Sequence, residues 1–340
     1  MKRILLSACS LMLISSCVGT PSPPLSATQS QKNPLVRAQN SSLKQVEQLV
    51  SLQRMEKNMA TLTGETKFSA LSRIPERGTR NGRELTRQFL TQYLESLDYK
   101  VERHEYRRYG ANIIARLTAS EPTDEWIIIG AHMDSVRNAG ADDNGSGSTA
   151  VLEAATILPQ LSGRKVNIMF AWFDEEELGL IGSRYLARRL KNEGLKISSV
   201  HTIDMMGWDG DKDKTVELAR PDGILWDYYN MVNKTHKLNL PLDRTNTGQS
   251  DHVAFHNEGF HSLNLSEEYT SHDSTPHYHR STDTYNTINF DFLVTGTQLL
   301  VAVVGDLSLK VPPPINVQMI PHNQFPSRER HFHNYEDISL

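Results

Sequence analysis

A chain of 340 residues, 38% hydrophobic and 22% charged, can bury a large core without disulfides or repeats. Its formal charge of −4 becomes more negative once the basic leader is discounted. That excludes a basic surface for nucleic acid or anionic lipid and leaves a peptide or another small solute as the expected partner.

The first segment reads as an export address. Met1, Lys2 and Arg3 form a basic start, Ile4 to Ile14 a short apolar run, and Ser15-Ser16-Cys17 a small-residue end. This resembles a bacterial lipoprotein signal, in which residues 1–16 are removed and Cys17 carries a lipid. The lipid is then the only expected membrane attachment, and the mature chain sits at the cell envelope, in the outer membrane or periplasm. Cleavage without lipidation would release it as a secreted protein. A transmembrane span is disfavoured, because the apolar run is shorter than the roughly 20 residues a bilayer needs. Cys9 leaves with the leader, so neither an internal disulfide nor a cysteine nucleophile is expected. Residues 17–40, rich in Pro, Ser, Thr, Gln and Asn, read as a flexible tether.

Between residues 41 and 310, helices alternate with strands. Leu85, Phe89, Tyr93, Leu94 and Leu97 recur at helical spacing, and strands are expected over Lys100–Tyr106 and Asn112–Leu117. Trp126 to Gly130 and Val166 to Phe173 are continuous apolar runs of the kind found in strands covered on both faces. Helices are expected at Ser148–Leu158, Ser183–Lys191 and Phe290–Leu309, with a further strand at Ser198–Ile203. This rhythm predicts one three-layer α/β domain whose functional loops gather at the carboxyl ends of the strands. Pro312-Pro313-Pro314 stops the last helix. Residues 311–340 read as a poorly ordered tail, in which His322, His331 and His333 are solvated.

Chemistry-bearing residues fall at those strand ends. His132 follows the first buried run, and Asp134, two residues on, shares its side if the chain stays extended and could fix the imidazole tautomer. Gly140-Ala141-Asp142-Asp143-Asn144-Gly145 opens a helix; alone it could be a calcium loop, an anion nest or a plain turn. Adjacent aspartates normally point apart, so at most one of the two should bridge metals. Asp174-Glu175-Glu176-Glu177 ends the second buried run, where four acids repel one another unless cations intervene. Asp204 ends a third strand as ligand or cap. Ser271 to His279 contains three histidines that periodicity does not distinguish.

Taken in order, GAHMDS, GADDNGSG, DEEELGLIGS, DMMG, SDH and YHRSTD resemble the dizinc aminopeptidase family, which includes secreted bacterial leucyl aminopeptidases and has glutamate carboxypeptidase and glutaminyl cyclase as relatives. Each block is weak alone, whereas their joint order is specific, and the likeness runs from about Phe68 to Leu309. It implies a phosphorylase/hydrolase-like three-layer αβα sandwich with a mixed central sheet, and two Zn2+ ions. By resemblance, His132 and Asp204 match the ligands of one zinc, Glu177 and His279 those of the other, and Asp143 the bridge. Counting back from Leu-Gly-Leu-Ile-Gly-Ser, Glu176 matches the general base. Tyr278 matches an oxyanion-supporting tyrosine, and the Asp143–Asn144 bond matches one that is cis in relatives. Ser250-Asp251-His252 receives no ligand role.

The implied activity is removal of the first residue from peptides with a free N-terminus, by a monomer. A carboxypeptidase or dipeptidase on the same fold is the alternative, as is a non-catalytic lipid-anchored protein. Cyclase chemistry with one zinc fits less well, since His132 and Asp204 are both present. A serine hydrolase lacks its Gly-x-Ser-x-Gly elbow. Mixed imidazole and carboxylate donors also accept manganese or cobalt.

Overall fold

Ile127, Ile128 and Ile129 are consecutive and fully buried, yet they enter two different cores: Ile127 and Ile129 join a large apolar cluster, Ile128 a smaller one. Successive strand side chains point to opposite faces, so an unbroken apolar run is what a doubly covered strand requires. The computed structural model describes residues 45–270 and 273–310, all within the compact unit Ser41–Leu340. The leader, Cys17, the tether, the tail and His272 lie outside the described residues.

Eight strands form the sheet: β1 (Val101–Arg107), β2 (Gly110–Leu117), β3 (Glu125–His132), β4 (Asn167–Phe173), β5 (Lys196–Ile203), β6 (Val216–Ala219), β7 (Leu242–Thr245) and β8 (Ser262–Ser266). Their order is β1-β2-β4-β3-β5-β8-β6-β7. β3 runs parallel to β4 and β5, and β5 to β8, while β1/β2, β2/β4 and β6/β8 are antiparallel. The sheet is therefore mixed.

The larger core lies under α1 (Leu52–Leu62), α2 (Arg80–Glu95), α3 (Gly147–Ile157), α5 (Gly223–Thr235) and α7 (Phe290–Ser308). The smaller one lies under α4 (Ile181–Asn192) and α6 (His252–Asn257). The starts of α1, α2, α5 and α7 have side-chain caps; Thr79, for instance, accepts from the Gly82 amide at 3.2 Å, and Asp222 from that of Leu225 at 2.7 Å. α7 is apolar on nearly every side because it packs against several helices at once. Helices on both faces of a mixed sheet make the three-layer αβα architecture.

Expected and observed elements agree within two residues at most boundaries, with α2 starting earlier, behind its cap, and ending before Leu97. The strands β6, β7 and β8 and the helices α1, α5 and α6 have no counterpart in the sequence reading. β6 (VELA) and β7 (LDRT) are four residues each, too short to display a period.

Candidate metal centre

The mutually parallel strands β3, β4, β5 and β8 end at one edge of the sheet, and each candidate side chain sits there or in the loop that follows. His132 is the last residue of β3, Asp143 lies in the loop before α3, Glu177 follows β4, Asp204 follows β5, and His279 lies in the segment after β8.

All five converge. His132 Nε2 stands 3.3 Å from Asp143 Oδ1 and 3.2 Å from Asp204 Oδ1. His279 Nε2 stands 3.2 Å from the other oxygen, Asp143 Oδ2, and 3.0 Å from Glu177 Oε2. One carboxylate thus faces two imidazoles, each with an acid of its own. His279 is 40% exposed, whereas His132 is buried. The His279 ring stacks on Tyr278 with centroids 3.8 Å apart, which sets its plane.

The backbone around Asp143 is held from every side. The Asp143–Asn144 peptide is cis. Asp283 accepts from the amides of Asp142 and Asp143 at 2.8 and 3.2 Å. Asp142, instead of facing the cleft, accepts from the Gly207 amide at 2.8 Å and so ties this loop to the one after β5. The side chain of Asn144 bonds the Ile203 carbonyl and the Gly147 amide. Gly140 adopts φ 56°, and a Cβ there would lie 2.6 Å from the Asp143 carbonyl oxygen, so a side chain is excluded. Behind the loop, the buried guanidinium of Arg77 donates to the carbonyls of Met133, Gly140, Leu62 and Ala139.

Asp134 lies beside both the imidazole and the glutamates. Its Oδ1 stands 3.6 Å from His132 Nδ1. Asp134 also accepts from the amides of Glu176 and Glu177 at 3.1 and 3.3 Å, and thereby positions both glutamates.

The acidic run divides in two. Asp174 is bound by Arg87 at 2.7 Å and Arg83 at 3.2 Å; Glu175 by Arg83 at 2.6 Å, Arg107 at 2.5 Å and the Tyr106 hydroxyl at 2.9 Å. Glu175 has φ 61°, a left-handed turn that lets its neighbours diverge, and Glu176 lines the open cleft.

Charge within the cluster is unbalanced. Among the described residues, Asp134, Asp143, Glu176, Glu177, Asp204 and Asp251 influence one another around two imidazoles, with the buried Arg77 guanidinium behind the loop acting on Asp134, Asp143 and Glu177. Burial pushes Glu176 well above the usual glutamate value; His132 opposes this, while Asp251, Asp204 and Glu177 add to it. Burial, together with Asp143, lifts Glu177 to about 7. For His279, burial works against the proton, but the bonds to Asp143 and Glu177 override it and hold the imidazole at about 10. Such competition for protons is what a cation relieves. Glu177 Oε1 is buried with no hydrogen-bond partner among the described residues, a donor oxygen left over. Imidazole nitrogens and carboxylate oxygens at this spacing fit a divalent ion such as zinc.

Arg77, Asp251 and Asp283 were not singled out by the sequence reading. Asp283 closes the YHRSTD block and Asp251 is the middle residue of the SDH block, so both lay within recognisable motifs without a role. Arg77 gave no local signal; its role rests on burial and distant carbonyls.

Residues 112–304 match Peptidase family M28, and all five converging side chains fall in that range. "Leucine aminopeptidase 1" of Arthroderma otae is 33% identical over 235 residues, which cover 59% of this chain and 62% of that relative. The chain thus spans less than two thirds of that relative's length. BSAP, a zinc aminopeptidase from Bacillus subtilis, has a TM-score of 0.54 at 28% identity, covering 59% of this chain and 50% of that one. LapB from Legionella pneumophila shares the fold, with a TM-score of 0.69 at 24% identity over 80% of this chain and 76% of that one. The matched family and the convergent site place this chain in peptidase family M28.

Proposed function

We propose that this chain is a metal-dependent aminopeptidase that removes the first residue from peptides with a free N-terminus, using two Zn2+ ions and Glu176 as general base. The observation that carries this reading is the division of Asp143, one oxygen toward His132 and the other toward His279. His132 and Asp204 would hold one ion, Glu177 and His279 the other, and Asp143 both. When bound, such a pair supplies an acidified water and a Lewis acid for the substrate carbonyl.

Glu176 lines the cleft together with Asp143 and Asp204. Its carboxylate takes the proton of the attacking water and returns it to the departing amine. Asp134, gripping the amides of Glu176 and Glu177, keeps base and ligand in register. Tyr278 lines the same cleft and is 38% exposed; burial, with Asp143 adding to it, keeps its phenol protonated, so its hydroxyl can donate to the developing oxyanion. The carboxylates facing the cleft offer a substrate α-ammonium group its counter-charge.

The test is a panel of free and N-acetylated aminoacyl arylamides, with and without chelator. Cleavage of the free-amine set alone, abolished by chelation, supports the reading; cleavage of blocked substrates contradicts it. For its setting, we read the chain as a monomer and, on the strength of the leader sequence, as anchored at the cell envelope by a lipid on Cys17. Fatty-acid labelling lost in Cys17→Ser is the expected result.

A further inference from the structure

A partly open cleft lies beside the metal centre. Away from the converging acids and histidines, Thr247, Gln249, Ser250, Asn264 and Ser266 line it. Met205 and Tyr269 add the apolar surface.

This polar floor follows from strand geometry. Leu263 and Leu265 of β8 enter the larger core, so the alternate residues Asn264 and Ser266, 3% and 4% exposed, face the other way. Asn264 accepts from the Thr202 hydroxyl at 2.7 Å and donates to the Leu265 carbonyl at 3.1 Å, which leaves one amide hydrogen unused. Ser250 is 6% exposed, and its hydroxyl has no hydrogen-bond partner among the described residues. An apolar side chain placed here would leave these groups unpaired, whereas a hydrogen-bonding side chain would satisfy them. Among the described residues, a cationic side chain finds no carboxylate on this floor apart from the acids of the metal centre: Glu217, opposite Ser266 across the sheet, is buried and already accepts from the amide and hydroxyl of Thr270.

We propose that this cleft receives the side chain of the substrate's first residue and selects uncharged hydrogen-bonding side chains (glutamine, asparagine, serine or threonine) over leucine. The proposal rests on the aminopeptidase reading and departs from the leucine in the fungal relative's name. Ser250 and Asn264 are its specificity-determining residues.

The experiment assays the zinc-loaded full chain against aminoacyl-7-amido-4-methylcoumarins of Gln, Asn, Ser, Thr, Leu, Phe and Lys. Binding of free glutamine and free leucine is measured in parallel by calorimetry. The expected kcat/KM for the best polar substrate exceeds that for leucine by about tenfold or more, because a site built to hydrogen-bond rejects a side chain that leaves its groups unpaired. Glutamine should also bind more tightly than leucine. Ser250→Ala narrows the ratio, and Asn264→Leu moves it further toward leucine. Preference for Leu, Phe or Lys in the unsubstituted protein overturns the selection while leaving the aminopeptidase reading intact. Failure to cleave any free-amine substrate overturns both.

Discussion

Asp174 and Glu175 have arginines for neighbours, whereas Glu176 and Glu177, next in the chain, have carboxylates and histidines. The first two are held by Arg83, Arg87 and Arg107 and fasten β4 to α2 and the end of β1. The second two are fixed through their backbone by Asp134 and lie among further acids, with the imidazoles of His132 and His279 as their counter-charges. Burial and Asp134 lift Asp174 to about 6 even so, and what separates the structural carboxylates from those kept for a metal is the partner, arginine in the one case and imidazole in the other. A buried acid with a cation already beside it needs none from solution.

The largest expected effect tests the balanced half. Arg83→Met leaves Asp174 and Glu175 with one cation fewer in a buried setting and should cost about 3 to 5 kcal/mol of stability in urea unfolding. Zinc bound per folded molecule should stay the same. Loss of metal at undiminished stability would erase the distinction between the two halves.

On the unbalanced half, Glu176→Gln should lower kcat at least about a hundredfold while both metals stay bound, read by kinetics alongside elemental analysis. A near-normal rate would remove Glu176 from the role of base.

A further test probes the same contrast through pH. Glu177 is raised from 4.5 to about 7 in the metal-free fold, so the folded state there binds its proton more tightly than the unfolded chain does. Its contribution to stability is therefore fully present below pH 4.5 and is lost as pH rises through about 7. In chelator-treated protein, wild type should lose stability relative to Glu177→Gln across that window, by up to about 1.4 kcal/mol per pH unit. A difference independent of pH would mean that its carboxylate is already relieved.

Much of this was legible in sequence, for reasons that differ by residue. Buried runs such as Ile127–Ile129 announce a central strand because both of its faces are covered. His132, Asp143, Glu177, Asp204 and His279 stand at motif positions that the resemblance could match, and the structure brings all five together. Less was readable where the decision is made at long range. Nothing local to Asp134 says that its carboxylate also grips the amides beyond β4. The left-handed turn at Glu175, which sorts four identical-looking acids into two pairs, depends on Arg83 and Arg107 arriving from α2 and β1. The polar floor of the cleft needs the register of β8, a strand of five residues absent from the sequence reading.

The most direct test of the central claim is a crystal structure of the zinc-loaded protein with anomalous scattering collected at the zinc edge. Two peaks should flank the Asp143 carboxylate, one beside His132 and Asp204 and the other beside Glu177 and His279. A single peak, or zinc bound away from Asp143, would contradict the account.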